Sequence, residues 1–218
     1  MCFSASASFI TAGLTGVVGV ISVGKAKEQR ELPLAMTPLV FAFQQSIEGL
    51  LWLNIPLNAE GWVSTSLSFL FVFFAESFWP VYAPIAALLI ESDKRRRRLM
   101  LLCLLVGITV SAYLLWSLLI RVHGATIATG HIVYLSDYQR SDAVGLAYIT
   151  ATVVPLLISS QRTVVTLGAV ILVGSIVAYA LYWDAFVSVW CFLAAAASIL
   201  ILYHFERSRR MRLGIART

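Results

Sequence analysis

The 218-residue chain is 60% hydrophobic and only 12% charged, with a mean hydropathy of +0.86. Soluble domains carry about 25% charged residues, so this composition excludes a soluble globular protein and points to an integral membrane protein. The net charge of +5 comes from basic clusters beside apolar runs. That placement suits anionic lipid headgroups and excludes a nucleic-acid surface.

A membrane-crossing helix needs about 20 apolar residues. On that scale the chain divides into spans at roughly 3–24, 32–54, 63–90, 99–121, 143–160, 163–182 and 185–205. The expected fold is an all-α, polytopic bundle of seven transmembrane helices over residues 1–206, followed by a basic tail at 207–218. Lys and Arg mark the cytoplasmic loops. Of the 16 basic residues, only Arg121 and Arg140 fall in the opposite set of loops. The two sets alternate as seven crossings require, so the N-terminus is expected outside and the C-terminus in the cytoplasm. No cleavable signal peptide is expected, because nothing basic precedes the first apolar run.

In the first span Ser4, Ser8, Ala12 and Gly16 recur every four residues, a small-residue face on which another helix packs closely; the alternative is that Ser4 and Ser8 line an outer polar cavity. Cys2 stands at the outer surface. Removal of Met1 would give it a free amine beside its thiol, a chelating pair. The other cysteines, Cys103 and Cys191, lie inside apolar spans, where packing as small hydrophobes is the expectation. No CxxC pair occurs.

The second span contains FAFQQSIEGLLWL at 41–53. Gln44 and Glu48 are one turn apart. Gln45, Glu48 and Trp52 follow the i, i+3, i+7 pattern and share a face. Glu48 lies about 9 Å in from the outer end at 1.5 Å per residue. A carboxylate at the centre of a membrane helix costs about 2.5–3.5 kcal/mol, so a charged residue kept there marks a candidate site.

The third span carries FVFFAESFWPVYAP at 71–84. Glu76 is about 20 Å along from its outer start. Pro80 lacks an N–H, so the carbonyl of Glu76 is expected to lose its helical partner; Pro84 does the same to the carbonyl of Pro80. A kink there gathers a carboxylate and freed carbonyls beside Trp79, and such groups must be satisfied by side chains, water or a ligand.

The run KRRRR at 94–98 and the basic C-terminal stretch read as cytoplasmic anchors. The outer loop 122–142 holds His123 and His131 with several polar residues. On a regular helix those histidines stand about 12 Å apart, too far to share an ion; in a loop the distance is free. Pro155 interrupts the fifth span. Trp183 and Asp184 occupy a tight outer turn, and Trp62, Trp116 and Trp183 suit the outer interfacial belt.

Known seven-span chemistries are excluded on single residues. A retinal pigment needs a lysine in its last helix, and the lysines here are Lys25, Lys27 and Lys94. The Pro-Gln pairs of small sugar transporters are absent, as are mid-membrane histidines of the ceramidase kind. No GxSxG, HExxH or phosphate loop occurs. The segments MCFSASASF, FQQSIEGLLW and FAESFWPVYAP resemble an uncharacterised family of bacterial multi-pass membrane proteins that begin Met-Cys-Phe-Ser-Ala. The resemblance implies the bacterial inner membrane and brings no activity with it.

The residues support two main readings. In the first, Glu48 and Glu76, with Gln44, Gln45, Trp52, Trp79 and Pro80, form an outward-opening site that binds or transports a cation, a proton or a small solute. In the second, a membrane metalloenzyme holds zinc, iron or copper on Glu48, Glu76, His123, His131 and Cys2; carboxylate and imidazole suit zinc or iron, and a thiolate moves the balance toward zinc or copper(I). A third reading makes the protein a sensor or assembly partner whose acids are structural.

Overall fold

Apolar runs separated by short polar turns leave the backbone no partner but itself in a membrane-like interior, so the chain folds into helices. A computed structural model describes residues 4–121, 124–128, 130–134, 142–181 and 186–215. In chain order they form α1 (Ala5–Lys25), a 3₁₀ turn (Gln29–Glu31), α2 (Leu32–Asn58), α3 (Trp62–Val72), a π-helical segment (Phe73–Phe78), α4 (Trp79–Ile90) and α5 (Lys94–Ile120). There follow β1 (Ala125–Ala128), β2 (His131–Tyr134), α6 (Asp142–Leu157), α7 (Arg162–Leu181), α8 (Phe186–Ala197) and α9 (Ile199–Ile215). The helix from Trp62 through the π segment to Ile90 is one rod, and α8 with α9 is another. The described residues thus make seven rods, at the positions expected of the seven spans.

Five rods are long and apolar enough to cross a membrane: Ala5–Lys25, Trp62–Ile90, Lys94–Ile120, Arg162–Leu181 and Phe186–Arg209. The α6 helix is apolar but shorter. The α2 helix is as long as α5, but Gln44, Gln45, Glu48 and Asn54 dilute its apolar character. It buries eleven residues, the three central polar ones among them.

Local signals set the helix ends. The Ser4 hydroxyl accepts from the Ala7 N–H at 3.2 Å and caps α1. Asp93 caps α5, its carboxylate accepting from the N–H groups of Arg95 and Arg96 at 3.0 and 2.8 Å. Helices α1 and α2 pack antiparallel: a Cβ at Gly19 would overlap Leu39, one at Gly16 would touch Ala42, and one at Gly49 would overlap Phe9. The buried stripe on α1 is Ser8, Ala12, Thr15, Gly19 and Ser22. It departs from the expected four-residue spacing after Ala12. A strict step of four drifts about 40° per step on a 3.6-residue helix, so a stripe facing one neighbour must alternate steps of three and four.

Two apolar cores stack along the bundle. The first holds Phe41, Leu51, Phe71, Trp79, Ile132 and Trp190; the second, nearer the basic loops, holds Leu34, Met100, Val164, Ile201 and Phe205. The segment between α5 and α6 contributes to the first core. It contains an antiparallel hairpin pairing Ala125 with Tyr134 and Ala128 with His131. Gly130, at φ 77°, supplies the left-handed residue of its turn. Ile132 is fully buried, and Tyr134 stacks on Phe71 with centroids 4.8 Å apart. The hairpin is a small β element in an otherwise helical chain, and it closes one end of the bundle.

Pro80 of the third rod acts one residue away from the expected place, while Pro84 acts where expected. The π segment shifts hydrogen bonding from i−4 to i−5. In that register the missing N–H of Pro80 orphans the carbonyl of Ala75 instead of Glu76. The Tyr148 hydroxyl of α6 donates to Ala75 at 2.5 Å, and the Ser111 hydroxyl of α5 donates to the carbonyl of Ser77. The carbonyl of Pro80, freed by Pro84, faces Gly107 of α5. A Cβ on Gly107 would stand 1.9 Å from that oxygen, so only glycine lets the helices approach there.

At the basic end, the buried Glu91 carboxylate ties two turns together. It accepts from the N–H groups of Ser92 and Asp93, each at 2.9 Å. It also accepts from the Ser160 N–H at 2.7 Å and the Ser159 hydroxyl at 3.3 Å. Arg96 donates to the carbonyls of Ile158 and Ser159, and Arg97 to those of Leu88 and Glu91. These arginines cap the C-terminal ends of α6 and α4, where the helix dipole favours cations. Lys25 and Glu206 pair at 2.5 Å between α1 and α9.

Candidate functional site

The polar side chains of α2 sit at the middle of the first core. Gln44, Gln45, Glu48 and Ser188 are all 0% exposed. The Gln44 amide bridges two helices: its Nε2 donates to Cys191 Sγ of α8 at 3.1 Å, and its Oε1 accepts from Trp79 Nε1 of α4 at 3.0 Å. Trp79 also stacks on Phe41 with centroids 4.2 Å apart. One turn along α2, Glu48 Oε1 accepts from the Ser188 hydroxyl. The pairs Gln44–Cys191 and Glu48–Ser188 step together because α2 and α8 run antiparallel.

Gln45 is satisfied less well. Neither its Nε2 nor its Oε1 has a hydrogen-bond partner among the described residues, and the same holds for Trp52 Nε1 and Ser8 Oγ. On α2, Gln45, Glu48 and Trp52 fall within an arc of about 60° at 100° per residue. That arc lies between the side facing α1 (Leu39, Ala42, Gly49) and the side facing α4 and α8. The register of α1 against α2, set by Gly19 with Leu39 and Phe9 with Gly49, brings Ser8 level with the turn between Glu48 and Trp52. Polar atoms from three helices therefore share one depth.

Glu76 lies in the π segment and is half-buried. Counted from the Trp79–Gln44 bond, it is about 4.5 Å toward the hairpin end, and Glu48 is about 6 Å. The two acids share a layer. Glu48 meets Ser188 of α8, while Glu76 follows Ala75, whose carbonyl accepts from the Tyr148 hydroxyl of α6. Tyr148 in turn meets Trp190 edge-on, and Trp190 Nε1 donates to Ser175 of α7 at 2.7 Å. A cavity of about 50 Å³ lies next to this layer on the basic side, lined by Phe41, Trp79, Tyr82, Thr152 and Trp190.

His131 sits in the hairpin, half-buried, and burial pushes its imidazole below the ordinary value. Cys2 and His123 lie outside the described residues. Among the described residues, no three His, Cys, Asp or Glu side chains gather as a metal site would need. Glu48, Glu76 and His131 therefore do not make a three-ligand centre by themselves. Pro80 shapes the layer through its backbone.

Three participants escape a reading of the sequence: Tyr148, Ser188 and Cys191. Ser8 reads as a packing residue, or as lining a polar cavity, and Cys191 as a small hydrophobe. The only local signal is that Ser188 and Cys191 are three apart on one helix face, the same spacing that picks out Gln45 and Glu48.

The model of a family of unknown function, DUF6629, matches residues 1–216. The chain belongs to that family. The match covers all three segments that carry the sequence resemblance and every residue of the polar layer. No curated protein and no solved structure matches this DUF6629 chain.

Proposed function

We propose that this DUF6629 protein is a polytopic protein of the bacterial inner membrane that crosses seven times, with its N-terminus outside. Its polar layer binds or transports a cation, a proton or a small solute entering from the hairpin side. The alternating basic loops support the orientation, and the five long apolar helices support the membrane assignment.

The observation that carries the functional reading is the complete burial of Glu48 beside Gln45, whose amide atoms find no described partner. A purely structural clamp satisfies its own hydrogen bonds, since an unmet buried polar group costs about 1–3 kcal/mol. A layer that leaves them unmet suits an exchangeable ligand. Glu76, in the same layer on the α6 flank, is the second acid of the site.

The test is purified protein in proteoliposomes, with ion- and proton-dependent flux and thermal stability measured together. Glu48→Gln is expected to abolish the ligand-dependent change, and Glu76→Gln to reduce it. Unchanged behaviour in both variants removes the proposal.

A further inference from the structure

We infer that the groove between α1 and α9 at the basic end holds one phospholipid whose headgroup carries a primary ammonium, of the ethanolamine class. The inference goes beyond the polar layer and rests only on the membrane assignment made above.

The shape of the groove comes first. It encloses about 410 Å³ and is lined by Ile21 and Lys25 of α1 and by Ile199, Leu202, Tyr203 and Glu206 of α9. Helix α1 packs antiparallel on α2, and α2 packs antiparallel on α8. Helices α1 and α9 therefore run in the same direction, and the Lys25–Glu206 pair sets their register. Back from that pair toward the middle of the bundle, Ile21 lies about 6 Å along α1 and Ile199 about 10 Å along α9. The groove thus has a charged end at the basic loops and an apolar body pointing inward. Ile21, Ile199 and Tyr203 are 41%, 59% and 57% exposed, so the body opens on the outside of the bundle. This is the polarity of a phospholipid in the leaflet on the basic side.

The charged end decides which phospholipid. An acyl chain that leaves the bilayer for an apolar wall gains little, because lipid tails are as apolar as leucine. Selection must therefore come from the headgroup. Lys25 and Glu206 present one positive and one negative charge side by side, 19% and 34% exposed. A headgroup with one phosphate and one ammonium complements both. The phosphate meets Lys25 Nζ, and the ammonium donates to the Glu206 carboxylate. A headgroup whose phosphate is its only charge meets the like charge of Glu206. A trimethylated ammonium has no N–H to donate. Arg207 and Arg209 are exposed on the same helix and attract anionic lipid by charge alone, an effect the experiment separates.

The full-length protein in detergent micelles is titrated with the dioleoyl forms of phosphatidylethanolamine, phosphatidylcholine and phosphatidylglycerol, and bound lipid is counted by native mass spectrometry. One phosphatidylethanolamine is expected to be retained, with at least about tenfold preference over the choline lipid. Lys25→Met together with Glu206→Gln removes both charges, leaves neither stranded, and is expected to abolish the preference. Ile199→Trp, at an exposed position, fills the groove and is expected to displace the lipid while the ion pair remains.

Equal retention of the three lipids, or a preference that survives the double variant, overturns the headgroup assignment. Tighter retention of the glycerol lipid assigns the end to the arginines and overturns it as well. Retention untouched by Ile199→Trp places the lipid elsewhere and overturns the groove. Each of these results leaves flux through the polar layer as it was. A protein that fails to enter phospholipid nanodiscs removes the membrane assignment and this inference together.

Discussion

At the scale of single residues, Gln44 and Gln45 are neighbours in sequence with opposite fates. Gln44 spends its amide on Trp79 and Cys191, one partner on each of two neighbouring helices. Replacing it by leucine keeps the bulk and strands the buried Trp79 N–H. The expected loss is about 1–3 kcal/mol of stability, measured as a lowered thermal midpoint, with the ligand-dependent response of the layer retained. Gln45 is expected to behave in the reverse way, costing little stability when made apolar and costing ligand binding instead. The pair separates a clamp from a ligand group within one turn. Sequence alone marks both as misplaced polar residues, because periodicity gives a direction around the helix and says nothing about which neighbour stands there.

At the scale of elements, the third rod shows how two prolines are accommodated without an open gap. The π register moves the orphaned carbonyl to Ala75, where Tyr148 reaches it. At Pro80 the answer is the absence of a side chain on Gly107. Gly107→Ala places a methyl carbon 1.9 Å from backbone oxygen, which no rotamer relieves. The helices must separate, at an expected cost of about 1–3 kcal/mol, seen as a lowered unfolding temperature.

The tie at the basic end gives a pH prediction. Burial pushes the Glu91 carboxyl upward, but the N–H groups of Asp93, Ser160 and Ser92 outweigh it and hold the group below its ordinary value. A folded-state value below the unfolded one, about 4.3 for glutamate, adds stability at neutral pH. That contribution is lost as the pH falls through the folded value. Thermal midpoints are expected to drop on acidification in this range. Glu91→Gln is expected to be less stable by about 1–3 kcal/mol at pH 7 and to show a weaker acid dependence. An unchanged acid profile in the variant would show that other groups set it. The arginines beside Glu91 read as topology anchors in the sequence. Their additional task of capping α4 and α6 becomes visible only once the two turns are seen side by side.

At the scale of the whole molecule, the basic loops and the hairpin lie at opposite ends of the bundle. The proposed orientation is checked with single cysteines placed at Ser92 and Ser160 for one side and at Thr126 for the other, in intact cells. A membrane-impermeant maleimide is expected to label the Thr126 position and to spare the other two. The reverse pattern inverts the topology and turns the mouth of the site toward the cytoplasm.

The order of the helical rods, their approximate ends and the apolar setting of Glu48 and Glu76 are all determined by the chain itself. Each follows from a local balance: apolar length against bilayer thickness, positive charge against position, and carboxylate against oil. The tertiary structure decided which helix faces answer one another. It formed a hairpin between α5 and α6 that seats Ile132 in the core, moved the defect at Pro80 by one residue, and recruited Ser188 and Cys191 around α2. It also placed the two acids at one depth. Those outcomes depend on contacts between residues far apart in the chain, 147 positions for Gln44 against Cys191 and 140 for Glu48 against Ser188. No property of a short window of sequence carries that information, because a hydrogen bond across a bundle is set by helix rotation and register, which are decided by packing.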